Sequence, residues 1–247
     1  MGNVYGGGWA QNGGTSTVTG EVSITVDGNA VVNNVYGGGS YSANSGGATS
    51  VGSVNITVAG GNIANNIFAG GQGEYSTVAG DVNVTFTGSN DCACSVYGYV
   101  VRPSATAGGD KTLSFADYAG TLSGDIGGFD VIAFSGDTAA TLSGANIDNG
   151  EWEFDFTART LGADTAALTL SGGTFADDAL TLKLADGSAP AVWSIAAGLA
   201  DTAVGFDYEV CVGDVELEFA DGKVVSGDYV GWGFAIEDAT LKFKNLA

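Results

Sequence analysis

Apolar and polar residues alternate strictly in three early segments: Val22-Ser23-Ile24-Thr25-Val26, Val54-Asn55-Ile56-Thr57-Val58 and Val82-Asn83-Val84-Thr85-Phe86. A period of two puts one set of side chains on a buried face and the other in water, which is the pattern of a half-buried strand. Val22, Ile24 and Val26 are therefore expected to point inward, Ser23 and Thr25 outward. A second motif precedes each segment: Asn3-Val4-Tyr5-Gly6-Gly7-Gly8, Asn34-Val35-Tyr36-Gly37-Gly38-Gly39 and Asn66-Ile67-Phe68-Ala69-Gly70-Gly71. A worn copy stands at Ser95-Val96-Tyr97-Gly98, and successive copies begin 31, 32 and 29 residues apart. A short Ser/Thr-Val piece lies between the two motifs (Thr17-Val18, Ser50-Val51, Thr77-Val78), so each repeat has three strand-like parts.

A fixed period of this size marks a solenoid, in which one coil cannot bury its apolar face alone and stands only in a stack. The expected fold is all-β: a right-handed parallel β-helix, or β-solenoid, with antiparallel C-terminal capping strands. Stacking places like on like, so Tyr5, Tyr36, Phe68 and Tyr97 form a structural aromatic column and Val22, Val54 and Val82 an aliphatic one. Gly-rich stretches such as Asn12-Gly13-Gly14 and Asn44-Ser45-Gly46-Gly47 read as loops. The pairs Asn33-Asn34 and Asn65-Asn66 read as left-handed turns that ladder along a corner.

A register change is expected near Arg102-Pro103, beyond which the strict repeat fades while short strands continue every 10–14 residues or so, separated by Ser-Gly turns. In the final stretch Phe206 to Val210, Val215 to Phe219 and Leu241 to Phe243 alternate sharply, with Gly-containing turns between them, as antiparallel strands would. The chain thus divides into regular repeats over 1–101 (period about 31), irregular coils over 102–200, and antiparallel end-cap strands over 201–247. Such a lid covers the unpaired backbone of a terminal coil.

Charge narrows the partners. The net charge is −21, from seven Lys+Arg against 28 Asp+Glu, and no basic residue occurs before Arg102. Phosphate backbones need clustered cations, so nucleic acid is excluded, and anionic membrane surfaces are poor partners for the same reason. No apolar run reaches the length of a membrane helix, so this stretch is not expected to insert into a membrane. Met1 precedes a repeat already under way, which reads as a piece taken from a longer chain.

Chemistry is sparse. The chain has no His and three cysteines, Cys92, Cys94 and Cys211. A zinc site would need all three cysteines and a carboxylate, and a Cys211 disulfide would need Cα atoms within roughly 7 Å. Free, buried thiols are the expectation, with no cofactor and no metal. The acidic groups Asp177-Asp178, Glu151/Glu153/Asp155 and Glu216/Glu218 read as solvated faces, with calcium as the rival reading. Gly70-Gly71-Gln72-Gly73-Glu74 resembles a calcium nonapeptide but occurs once. Fold analogy with polysaccharide lyases and hydrolases raises an enzyme reading; the only suggestive pair is Arg159 near Asp164, so no catalytic residue is assigned. The outward pairs Ser23/Thr25, Asn55/Thr57 and Asn83/Thr85 would form a grid able to order water, which raises ice binding as a further alternative. Among the aromatics, Trp9, Tyr41 and Tyr75 sit in loops where they would stack on sugar rings, whereas Trp232 belongs with the end cap.

The Val-Tyr-Gly-Gly-Gly copies, each followed by a Gly-x-Val-x-Ile-Thr-Val type of strand, resemble repeats of large bacterial surface proteins. The Ser-Gly-x-x-Ala-x-Leu strands after residue 130 resemble the β-helical passengers of autotransporter-type adhesins. That resemblance implies a secreted or cell-surface location and a non-enzymatic role as adhesin or structural rod, meeting glycans or the surface proteins of host or neighbouring cells. It brings no active-site signature and no membrane-spanning barrel. The alternative is a self-assembling fragment that joins other copies through open solenoid ends.

Overall fold

The structure is a computed structural model that describes residues 1–41, 47–73, 75–98, 108–144, 146–148, 151–158, 166, 168–171, 174–175, 179–185, 192–198 and 207–246. Three stacked sheets wind around a common core. The first has seven strands, in the order Val4–Tyr5, Val31–Tyr36, Asn62–Phe68, Ser95–Tyr97, Ile126–Gly127, Asn146–Asp148 and Thr174–Phe175, and every pairing is parallel. The second runs from Thr15–Val26 through Ala48–Val58, Val82–Gly88, Lys111–Tyr118, Val131–Ser135, Glu151–Phe156 and Ala179–Leu184 to Asp207–Val212, again all parallel. The third begins at Thr121–Leu122 and continues through Ala140–Ser143 and Leu168–Ser171 to Val192–Ala197. This is a parallel β-helix.

Register carries the stack from end to end. Ile24, Ile56, Val84, Leu113, Ile132, Phe154, Leu182 and Val210 are successive partners in the second sheet. The steps between them are 32, 28, 29, 19, 22, 28 and 28 residues. The coils beyond residue 110 are therefore shorter at first, yet each still lands on the one before. Arg102 and Pro103 lie outside the described residues; the rungs on either side of them remain paired, Val84 with Leu113 and Phe86 with Phe115.

Two positions further along the third to sixth of these strands, the inward residue is aromatic. Phe86, Phe115, Phe134 and Phe156 are at most 2% exposed and stack at centroid distances of 5.8, 5.3 and 4.9 Å. Tyr118 tilts against the first two rings at 5.5 and 5.7 Å. The middle of the solenoid is thus filled by rings, where the early coils use Val and Ile.

The corner after the first sheet depends on glycine for space. A Cβ on Gly37 would lie 2.1 Å from the Ala69 carbonyl oxygen and 2.4 Å from Val54 Cγ1. One on Gly38 would lie 2.0 Å from the Gly70 oxygen. Side chains cannot come that close, so the Gly-Gly pair is required by rung-to-rung approach.

Several local expectations differ from the structure. The Ser/Thr-Val pieces and the alternating segments are not separate sides of the first two coils: each pair forms one continuous strand, Thr15–Val26 and Ala48–Val58, with the register shift between Val18 and Glu21. Only in the third coil do they part, as Ser76–Val78 and Val82–Gly88. Asn33-Asn34 and Asn65-Asn66 lie inside strands and not in left-handed turns. A bulge between Val32 and Asn34 absorbs the extra residue while extended backbone is kept.

Among the described residues, the left-handed Asn is Asn12, at φ 55°. Asp207–Val212 is still a parallel rung, and antiparallel pairing starts one strand later, at Val215–Glu216. The lid of the third sheet is Thr240–Asn245, laid antiparallel on Val192–Ala197 and followed outward by Trp232–Glu237, Lys223–Val224 and Phe219–Ala220. Phe243 is its buried centre, with Phe234 at 5.2 Å and Trp232 at 5.3 Å.

Cys92 and Cys94 are disulfide-bonded to each other, with Cα atoms 5.4 Å apart, and are buried. The expectation of free thiols there is overturned. The two lie at a corner, where Cys92 forms an isolated bridge to Leu122, and the turning backbone brings the Cα atoms within bridging range. Cys211 is half-buried and is not part of a disulfide among the described residues.

Candidate functional site

The first sheet alternates as a half-buried strand must. Val35, Ile67 and Val96 are fully buried, so their neighbours Tyr36, Phe68 and Tyr97 face outward. With Tyr5 they form one outer column: Tyr5 on Tyr36 at 4.8 Å and 6°, Tyr36 on Phe68 at 5.6 Å and 8°, Phe68 on Tyr97 at 5.2 Å and 20°. Two residues earlier on the same face runs an amide ladder, Asn34 Nδ2 donating to Asn3 Oδ1 (3.0 Å) and Asn66 Nδ2 to Asn34 Oδ1 (3.5 Å).

After the glycines the chain folds back into a narrow ridge beside this column. Trp9–Ala10 pairs parallel with Ser40–Tyr41, and Ser40 bridges to Gln72. Beneath the ridge the interior is polar: Thr49 Oγ1 donates to Ser76 Oγ (2.9 Å), which donates to the Gly39 carbonyl (3.1 Å). Both hydroxyls are buried and have partners, as buried polar groups require.

Ridge and column meet through Gln72. Its Oε1 accepts from the Tyr5 hydroxyl (2.8 Å) and from Ser40 Oγ (2.9 Å), and the Tyr5 oxygen in turn accepts from Asn3 Nδ2 (3.1 Å). Tyr36, one rung in, is only 5% exposed, whereas Tyr5 is 37% and Trp9 66% exposed. Where Tyr5 and Trp9 diverge, an open recess of 460 Å³ is lined by Tyr5, Gly7, Gly8, Trp9 and Ser40. Two aromatic walls and a few polar atoms are the usual ingredients of a small-ligand site.

Of the aromatics expected to contact a ligand, Trp9 lines this recess. Tyr75 is half exposed and does not line it. The Tyr41 side chain lies outside the described residues. Tyr5, expected only as part of a structural column, is a wall of the recess. Ser40 is not marked out by the sequence reading and Gln72 only as part of a calcium-like run, although a signal exists. Trp9, Ser40 and Gln72 each stand six residues after the Asn that opens their repeat (Asn3, Asn34, Asn66), so the repeat itself places them on one line.

Elsewhere the polar groups are mostly committed to holding coils together. Asp91 Oδ1 accepts from the Thr121 amide (2.8 Å), Asp117 Oδ1 from the Asp137 amide (2.9 Å), and Asp130 Oδ2 from both the Lys111 amide and its Nζ. Lys242 and Lys244 both contact Glu237, and the Lys244 hydrogen bond is the main reason that carboxyl titrates below its ordinary range. Tyr118 donates to the Asn90 carbonyl (2.8 Å); burial first and the Asp91 charge second push its hydroxyl pKa up.

Among the described residues no three His, Cys, Asp or Glu side chains converge on a metal-sized site. Asp155 is engaged by the amide and hydroxyl of Thr157. The side chains of Glu151 and Glu153, and all of Asp177, Asp178, Arg159, Asp164 and Glu74, fall outside the described residues. The outward grid is in register, Ser23–Asn55–Asn83 beside Thr25–Thr57–Thr85, and the next rung adds Thr112 and Ser114. No described helix is long and apolar enough to cross a membrane.

The chain matches no protein-family profile, no curated protein and no solved structure.

Proposed function

We propose that this chain is a non-enzymatic adhesive rod, displayed on a bacterial surface or secreted. The observation that carries the reading is the parallel register that continues rung by rung from Thr15–Val26 to Asp207–Val212. A stack whose inner strands are hydrogen-bonded to rungs on both sides resists bending and extends by about 4.8 Å per coil, as a spacer should. The charge of −21 keeps an elongated apolar-cored particle dispersed. The resemblance to autotransporter-type passengers supports the location. A glycan array probed with the labelled chain tests the adhesive part: binding above background to a defined subset of sugars is expected, and a blank array removes it.

Self-association is the second reading, favoured by one observation. Thr15–Val26 ends the second sheet, so one side of a twelve-residue strand is unpaired among the described residues. It carries neither Lys nor Pro, the residues that usually blunt such edges. Light scattering after size exclusion is expected to show dimers or longer species growing with concentration; a monomer at every concentration contradicts it.

A further inference from the structure

We infer that the outer face of the second sheet binds the surface of ice. The inference is independent of the adhesive reading and takes a periodic solid as partner. Four successive rungs carry it, none of them at an end of the stack. Asn55, Asn83, Thr112 and Val131 form one column, Thr57, Thr85, Ser114 and Ala133 the next, and Thr87, Ala116 and Ser135 a third. All of them are partly exposed, while the residues between them along each strand are buried. None is charged, in a chain with 28 Asp+Glu. The next rung ends the array by setting Glu153 and Asp155 in the first two columns.

Three features favour a crystal over a soluble partner. The array repeats by about 4.8 Å between rungs and about 6.6 Å along a strand, close to the two repeat distances on a prism face of ice. A partner gains from every further rung only if it shares that period. Second, the polar atoms are unspent. Asn83 Nδ2 donates to Asn55 Oδ1 (2.9 Å), which fixes the amides, whereas the hydroxyls of Thr57, Thr85, Thr112 and Ser114 make no hydrogen bond to another described residue. Each can donate once and accept twice in a water lattice. Third, the face has a firm backing. Phe86, Phe115 and Phe134 stack directly behind it, and side-chain ladders of this kind hold a stacked sheet flat. Size argues against a protein partner: three rung steps by two strand steps cover about 200 Å², far below the ~800 Å² per partner of a stable interface. Chains anchored on ice make the growing front bulge between them, and that curvature stops growth.

The test is ice recrystallisation in a frozen dilute solution of the whole chain, with fluorescently labelled chain adsorbed to a single ice crystal. Grains should stay small where albumin lets them coarsen, and the label should mark prism planes. Thr85→Lys sets a charge at the centre of the array and should abolish both effects. Gln11→Lys makes the same charge change at an exposed position away from the face and should leave both intact. Circular dichroism and melting show whether each variant is folded, and Thr57→Lys, one rung away, replaces Thr85→Lys if that chain does not fold. Coarsening as with albumin, or full activity in the folded Thr85→Lys variant, overturns the inference and leaves the adhesive rod to the glycan array. Retention on crystalline cellulose without any effect on ice also overturns it.

Discussion

Phe115 shows how one side chain is made to count by its rung. It is 2% exposed, with Phe86 and Phe134 stacked on its two faces and Tyr118 tilted against it. Phe115→Ala removes three aromatic contacts and leaves a cavity that hydrogen-bonded rungs cannot close, so a loss of about 3–5 kcal/mol is expected in urea unfolding. Tyr5→Ala, on the outer column with one covered face, should cost far less. Tyr118 adds a pH signature. Its hydroxyl is held above the ordinary value of 10.0, so above pH 10 the unfolded chain loses a proton that the folded chain keeps. Its contribution is present in full below pH 10 and lost as pH rises beyond it. Stability should therefore fall above pH 10, and Tyr118→Phe should flatten that fall. The inward Phe residues were visible in the sequence only as isolated strands, because steps of 19 and 22 residues hide the period that aligns them.

At the scale of elements, the alternating segments announced themselves because a period of two has one structural meaning. Their inward sets, such as Val54, Ile56 and Val58, are buried as expected. What sequence could not supply was the geometry between elements. The continuity of Thr15–Val26 depends on a bulge near Gly20, and a Gly followed by an alternating run reads equally well as a corner. The Asn pairs mislead for a similar reason: Asn favours turns in general, yet here Asn34 and Asn66 hold strand positions because their amides bond along the stack. The recess has the same origin. Trp9 was conspicuous as an exposed aromatic, but its partners Ser40 and Gln72 come from the next two coils, and only superposition of the repeats brings them to it.

For the whole molecule, one length scale governs everything above: the spacing of rungs. It aligns the inner and outer columns, allows the short coils after residue 110 to join the long ones, and lets Thr240–Asn245 pair antiparallel with the last rung of the third sheet. The most direct measurement of that register is a distance between two nitroxides in solution. Labels at Thr25→Cys and Lys183→Cys, with Cys211→Ser to keep labelling specific, stand on one column linked through Thr57, Thr85, Ser114, Ala133 and Asp155. Six steps of about 4.8 Å predict a narrow distribution centred near 29 Å. A broad distribution, or one centred well beyond that, would mean the coils do not lie on one another, and the rod would be contradicted.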